Sequence, residues 1–124
     1  MDITKTIQQL KKRPEFTNNV GMILIHNGVV RSWSRQDRSE VLAVEVTPNH
    51  EKIEELRQEY LRHPGIFDII IEAQSGMLNP GDDLLFIIVA GDIRENIKPV
   101  LATLLDRVKA EAVQKKEILS SSSQ

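Results

Sequence analysis

The 124-residue sequence contains no cysteine and few aromatic side chains. Without cysteine, the chain has no disulfide, no thiolate metal site and no nucleophilic thiol of its own. Aromatic residues make up only 4% of the sequence, so a buried core must be built mainly from isoleucine, leucine and valine.

Long apolar runs are also absent. No segment reaches the roughly 20 apolar residues that a membrane-spanning helix needs. The first residues, Met1 to Lys5, lack the apolar stretch of a signal peptide. We therefore expect a cytoplasmic protein that does not cross a membrane. The formal net charge of −2 disfavours a general nucleic-acid binder, which normally carries a basic surplus.

One small cluster of basic and aromatic residues runs against this charge balance. Arg31, Arg35 and Arg38 lie close to Trp33 in the sequence. Acidic residues interrupt the run, so a solvated, mobile loop over residues 34–40 is a better interpretation than a nucleic-acid or membrane surface.

The apolar pattern predicts one domain over residues 1–119 and a disordered polar tail over residues 120–124. Val- and Ile-rich segments alternate with segments of helical period, in the order β-β-α-β-β-α after a short N-terminal helix. This order predicts an α+β fold in which a mixed, mostly antiparallel sheet is packed by two main helices. The predicted strands cover 19–33, 41–46, 66–73, 84–90 and 113–119, and the main helices start at Thr47 (as N-cap) and near Asp92.

The residues alone offer limited chemistry. His26, His50 and His63 have no partner at metal-ligand spacing, so we predict no metal site and interpret them as solvent-facing or loop residues. Several cations lie near the ends of predicted elements, and their simplest interpretation is a set of solvated charges. They are Arg31, Arg94, Lys109, Lys115 and Lys116.

A series of short motifs adds to this interpretation, because they follow one another over residues 19–119. They are Asn27-Gly28-Val29-Val30-Arg31, Val44-Glu45-Val46-Thr47-Pro48, Gly76-Met77-Leu78-Asn79-Pro80-Gly81-Asp82, Ile93-Arg94, Val108-Lys109 and Gln114-Lys115-Lys116-Glu117. In this order they resemble the large, catalytic subunit of molybdopterin synthase, so the chain looks like a divergent MoaE-like protein. The resemblance implies the α/β-hammerhead-like fold of that subunit.

The resemblance also implies a function. Such subunits form a homodimer, and each copy receives the C-terminal Gly-Gly tail of a small ubiquitin-like sulfur carrier, giving a heterotetramer. The tail carries a thiocarboxylate, whose sulfur is transferred to cyclic pyranopterin monophosphate in two rounds to form the dithiolene of molybdopterin. No further cofactor is implied. The absence of cysteine agrees with a sulfur that arrives on the carrier.

By resemblance, Arg31 and Arg94 are candidates for anion binding, and Lys109 is the principal catalytic lysine. The second catalytic lysine has two candidates. Counting from Lys109 without a gap gives Lys116, which we favour slightly, whereas matching the Lys-Lys-Glu string gives Lys115. We expect these cations to meet in one positively charged hollow.

Three departures from the family pattern support an alternative. The histidine of a His-Arg pair is Ile93, a His-Tyr pair is Val46-Thr47, and a tryptophan is Gln114. The chain is therefore either an active sulfurtransferase with a reduced polar site or a catalytically impaired homologue that acts as a dimeric carrier- or anion-binding protein.

Overall fold

The computed structural model describes residues 1–120, and it confirms the predicted α+β class. The helices are α1 Ile3–Lys11, α2 Phe16–Asn19, α3 His50–Leu61 and α4 Arg94–Arg107, which continues into a π-helical turn, Val108–Ala112. The strands are β1 Met22–Val29, β2 Val41–Pro48, β3 Ile66–Ala73, β4 Gly76–Leu78, β5 Asp83–Gly91 and β6 Val113–Leu119.

The end of the chain was predicted to be a disordered tail over residues 120–124. Residues 121–124 lie outside the described residues. Ser120 is described, and its backbone N–H donates a hydrogen bond to the carbonyl oxygen of Glu40 (3.1 Å).

The strands form two three-stranded sheets, and all of their pairings are antiparallel. One sheet has the order β1-β5-β3 and the other has the order β4-β2-β6. Strand β5 is central, and every residue from Leu84 to Gly91 is buried. A central strand covered on both faces needs apolar residues at successive positions, which is why this segment reads as one continuous apolar run.

The main core lies between the β1-β5-β3 sheet, helices α3 and α4, and the inward face of the second sheet. Leu56, Ile69, Ile87 and Leu104 in this core have no exposed surface. Replacing one such leucine or isoleucine with alanine typically costs about 2–5 kcal/mol. A smaller cluster around Leu10 of α1 covers the opposite face of the same sheet.

Helix α3 does not begin where the sequence suggested. Thr47 was the predicted N-cap, but Asn49 holds that position, and its side-chain oxygen accepts a hydrogen bond from the backbone N–H of Lys52 (3.0 Å). The reason is that β2 runs further than predicted. Thr47 and Pro48 pair with the first residues of β6, which holds them in the sheet.

Residues 34–40, which were predicted to form a mobile loop, lie in a hydrogen-bonded hairpin that spans residues 30–40. Trp33 and Glu40 form a β-bridge across it. Ser34 is buried, and its backbone N–H donates to the carbonyl oxygen of Ser39 (2.9 Å). The hairpin fixes Arg31 and its neighbours beside the end of β1. The register of β1 with β5 shifts between Gly28 and Val29, as at a β-bulge.

The π-helical turn links α4 to β6 and carries Lys109. Val108 and Ala112 of this turn are buried, whereas Lys109 is exposed. The carbonyl oxygen of Ala112 accepts a hydrogen bond from the backbone N–H of Asn49 (2.7 Å), which ties the turn to the start of α3. Wide turns of this kind are rare and often occur at functional sites.

Candidate functional site

Four cations from three parts of the chain come together at one end of the sheets. We call Arg31, Arg35, Lys109 and Lys115 the cationic cluster. Partial burial is the main reason that the pKa of Lys115 is lowered, and the nearby charges of Lys109, Arg31 and Arg35 lower it further. Glu117 acts in the opposite direction, as expected for a carboxylate near an ammonium group. The cluster therefore joins the loop after β1, the π-helical turn and β6.

The register between β2 and β6 separates the two candidate lysines. Lys115 pairs with Val46, whose side chain is 2% exposed, whereas Lys116 pairs with the exposed Glu45. Successive side chains of a strand point to opposite faces. Lys115 therefore shares the inward face with Val46, and Lys116 lies on the outward face.

Two hollows border these lysines. A shallow hollow of about 370 Å³ is lined by Glu45, Thr47, Gln114, Lys115 and Lys116. Lys115 also lines a much smaller hollow, of about 20 Å³, together with Arg31 and Glu117. Lys115 thus lies between the two hollows and is the lysine of the terminal pair that joins the cationic cluster.

Arg31 is oriented by the hairpin that follows β1. Its Nε donates a hydrogen bond to the carbonyl oxygen of Trp33 (3.4 Å), and its guanidinium lies 4.9 Å from the centre of the indole ring. The guanidinium of Arg38 lies 4.1 Å from the same ring centre. Trp33 therefore holds two guanidinium groups through contacts with its π-system.

The cluster lacks counter-charges at ion-pair distance. Within residues 1–120, neither Arg31, Lys109 nor Lys115 forms a salt bridge. By contrast, Arg57 and Arg107 each pair with two carboxylates. Like charges held together without compensation raise the local potential, which favours binding of an anion.

Arg94 does not join this cluster within one chain. It lines a hollow with Gly21 and Met22 at the start of β1, while Arg31 follows the other end of that strand. An eight-residue strand spans about 23 Å. Lys109 lies fifteen positions beyond Arg94 along α4, which corresponds to about 22 Å of helix. The expectation of a single hollow containing all the predicted cations is therefore wrong for a single chain.

The side chain of Arg94 is 76% exposed and contacts only Glu95 among the ion pairs of residues 1–120. Ile93, which precedes it, is 53% exposed. Both residues are thus available on the surface at the start of α4, remote from the cationic cluster.

His26 is a member of this region that the sequence analysis did not select. It lies in β1, half-buried, rather than in a loop or fully in solvent. Burial lowers its pKa, and the charge of Lys109 lowers it further. The sequence could have indicated this position. Side chains of a strand alternate between its two faces, and His26 lies two and four residues after Leu24 and Met22, which face inward.

Two other properties of the described residues bear on the site. In residues 1–120, no group of three or more histidine, aspartate and glutamate side chains is arranged to hold a metal ion. No helix in that part of the chain is long and apolar enough to cross a membrane.

The model of one protein family, described as "MoaE protein", matches residues 1–111. The chain belongs to the MoaE protein family. The match includes Arg31, Arg94 and Lys109 but ends before Lys115 and Lys116. A search of curated proteins finds no match.

Solved structures of related proteins have the same fold. Molybdopterin synthase from Staphylococcus aureus superposes with a TM-score of 0.76 at 19% identity, covering 95% of this chain and 85% of that one. Molybdopterin cofactor biosynthesis protein E from Burkholderia multivorans gives 0.73 at 21% identity, with 99% and 88% covered. A complex of subunits 1 and 2 of molybdopterin-converting factor from Helicobacter pylori gives 0.69 at 14% identity, with 98% and 85% covered. This MoaE-family chain therefore keeps the fold at low identity, including the region around β6.

Proposed function

We propose that this MoaE-family chain is a sulfurtransferase of the molybdopterin synthase type, acting in the cytoplasm. Family membership supports a role in molybdenum cofactor biosynthesis. The proposed reaction moves sulfur from the C-terminal thiocarboxylate of a small ubiquitin-like carrier to cyclic pyranopterin monophosphate. Sulfur enters in two rounds and gives the dithiolene of molybdopterin.

The observation that carries this proposal is the cationic cluster without salt bridges in residues 1–120. Both proposed reactants are anions, since the carrier tail ends in a thiocarboxylate and the pterin carries a phosphate. Arginine binds such groups with two parallel hydrogen bonds, and lysine supplies a compact charge. Arg31 offers the first kind of contact, and Lys109 and Lys115 offer the second.

The chemistry needs negative charge to be controlled at two points. The sulfur of the thiocarboxylate forms a bond to a pterin carbon and replaces an oxygen substituent there. Water then cleaves the acyl–sulfur bond, so the sulfur stays on the pterin and the carrier leaves as a carboxylate. Lys109 orients the thiocarboxylate and stabilises charge on its carbonyl oxygen during this hydrolysis.

The second lysine in this proposal is Lys115 rather than Lys116. Lys115 lies on the same face as Val46 and feels the charges of Lys109 and Arg31. Its lowered pKa also makes the neutral amine more accessible than in an ordinary lysine. A neutral amine can attack the acyl carbon, so Lys115 is the better candidate if a transient adduct with the carrier tail forms.

The partners in the proposal are the carrier and a second copy of this chain. The H. pylori relative is described as a protein–protein complex of two subunits, which favours a carrier-like partner here too. Arg94 lies about 20 Å or more from the cationic cluster of its own chain. In the proposed homodimer, Arg94 therefore takes part only by reaching the cluster of the other copy.

The alternative is a catalytically impaired homologue that binds the carrier or another anion. Ile93 and Gln114 favour it, because Ile93 cannot donate or accept a proton as an imidazole does and Gln114 lacks the aromatic surface of an indole. The discriminating experiment mixes the purified chain with a thiocarboxylated carrier ending in Gly-Gly and with cyclic pyranopterin monophosphate. Formation of the dithiolene supports the sulfurtransferase. Stable binding of the carrier without product, when a known synthase is active in parallel, supports the binding protein instead.

A further inference from the structure

The imidazole of His26 is held in an unusual position on the inward face of β1. Its Nε2 is buried and has no hydrogen-bond partner in the structure of residues 1–120. The ring lies against the backbone of Gly28, where a Cβ atom would come within 2.9 Å of Nε2. A buried polar atom without a partner costs roughly 1–3 kcal/mol, so natural proteins rarely keep one without a reason.

Among the residues around His26, Lys109 is the charged side chain that acts on its imidazole. On β5, the residue that pairs with His26 is Ile87, and the residue that pairs with Gly28 is Leu85; both are apolar. On the other side, α4 runs along β1, and its partly buried Leu101 and Leu105 pack against the core. Lys109 follows in the π-helical turn after α4, and its charge acts on His26.

Within the described part of the chain, Lys109, like His26, has a polar group without a bonding partner. Its ammonium group has three donors, yet it forms no salt bridge or side-chain hydrogen bond in the structure of residues 1–120. The side chain is exposed and has four rotatable bonds. Rotation about these bonds changes where its ammonium group lies.

We propose that His26 is a positioning residue for Lys109: its neutral imidazole accepts a hydrogen bond from the lysine ammonium and holds it in the cationic cluster until an anion arrives. The proposal rests on the proposed function for the identity of that anion, but the His26–Lys109 link itself does not. It gives the unpartnered Nε2 a donor and gives the exposed lysine a fixed resting position.

Because Lys109 is positively charged, the proposed link forms only while the imidazole of His26 is neutral. A neutral imidazole can accept from an ammonium group, whereas an imidazolium has no free lone pair and repels it. Burial and Lys109 both lower the pKa of His26, which keeps the ring neutral at pH 7. A bound anion offsets the charge of Lys109, so anion binding should raise the pKa of His26. Lys115, Arg31 and Arg35 complete the charged groups of the cluster.

The test is an NMR titration of the three histidines in the full chain, with inorganic phosphate as the anion probe. We expect the His26 pKa to lie below that of an ordinary histidine and to rise both in Lys109→Gln and at saturating phosphate. The His26 signal is assigned by its loss in His26→Phe. An unchanged His26 titration in Lys109→Gln would overturn the proposal, because it would mean that another group, such as a buried water, satisfies Nε2.

A second measurement separates positioning from packing. His26→Gln keeps a hydrogen-bond acceptor that does not titrate, whereas His26→Phe keeps the ring and removes the acceptor. In the sulfur-transfer assay we expect His26→Phe to lose about tenfold or more in kcat/KM, as for loss of a hydrogen bond to a charged group. We expect His26→Gln to retain most of it and to lose the acid limb of the pH profile. Equal activity of wild type and His26→Phe across that profile would contradict the proposal.

The two measurements distinguish failure of this inference from failure of the proposed function. If the NMR titration shows the His26–Lys109 coupling but no dithiolene forms, the inference stands and the sulfurtransferase proposal falls. If sulfur transfer depends on Lys109 but the His26 pKa is the same in wild type and in Lys109→Gln, only the inference about His26 is contradicted.

Discussion

Val46 of β2 lies opposite Lys115 of β6 across the antiparallel β2–β6 ladder. Val46 is 2% exposed, so this pairing directs Lys115 towards the inward side of the sheet, where Arg31 and Lys109 act on it. A shift of one residue would have put Lys116 there instead. The register of a single strand pair therefore decides which lysine belongs to the cationic cluster.

The first prediction follows from this register. Lys115→Ala should reduce sulfur transfer by at least tenfold, because it removes a charge from the cluster, whereas Lys116→Ala should keep activity within about twofold of wild type. Lys5→Ala, in α1, is the matched control for loss of an exposed lysine. The measurement is the single-turnover rate with a thiocarboxylated carrier. A larger loss in Lys116→Ala than in Lys115→Ala would reverse the assignment.

The second prediction concerns the lowered pKa of Lys115. Since positive neighbours contribute to the shift, Lys109→Gln and Arg31→Gln should each raise the Lys115 pKa towards that of an ordinary lysine. NMR of the Lys115 side chain against pH, in wild type and in both variants, measures this. An unchanged Lys115 titration in both variants would show that the charges do not share one site.

The same shift has a consequence for stability. A lysine whose pKa is lower in the folded than in the unfolded chain disfavours folding while it is charged, and this cost disappears as pH rises through the folded pKa and then the unfolded pKa. Lys115→Gln should therefore raise the free energy of unfolding at pH 7. The gain should stay below about 1 kcal/mol because the side chain, although partly buried, keeps contact with solvent that screens its charge.

The third prediction uses Trp33, the one tryptophan of the sequence. Its ring contacts the guanidinium groups of Arg31 and Arg38. An anion that binds the guanidinium of Arg31 in the cluster should change this contact, so inorganic phosphate should produce a saturable change in tryptophan fluorescence. Arg31→Ala should abolish the response, and Arg13→Ala, in the turn that follows α1, should leave it intact. A response that survives in Arg31→Ala would contradict the placement of the anion.

The fourth prediction concerns the proposed homodimer. If Arg94 serves the cluster of the other copy, Arg94→Ala and Lys109→Ala should each be inactive alone. Mixing and re-equilibrating the two variants should restore about a quarter of wild-type activity, because half of the molecules become mixed dimers with one complete site in two. No recovery after subunit exchange, verified by mass spectrometry of the mixed dimers, would argue that Arg94 takes no part in trans.

Much of the fold was predictable from local patterns. The apolar run of β5 and the helical period from Ile93 to Val108 give the central strand and α4 directly. The start of α3 was missed because pairing with β6 held Thr47 and Pro48 in a strand, a long-range effect that capping preferences do not include. The hydrogen-bonded hairpin around Trp33 was not predicted, because its polar composition is also typical of mobile loops.

The site was only partly predictable. Arg31 and Lys109 could be selected by resemblance, but the choice between Lys115 and Lys116 depends on a strand register that follows a π-helical turn. Such turns are rare and carry no clear sequence signal, so the face on which each lysine of β6 lies could not be read from the sequence. The separation of Arg94 from the cluster depends on the direction in which α4 runs along β1, which periodicity does not give.

The most direct test of the central claim is the rate of dithiolene formation by wild type and Lys109→Ala with a thiocarboxylated carrier. The account predicts turnover by wild type and by Lys5→Ala, and a loss of at least a hundredfold in Lys109→Ala, with folding unchanged because an exposed lysine contributes little to stability. Full turnover by Lys109→Ala would contradict the account.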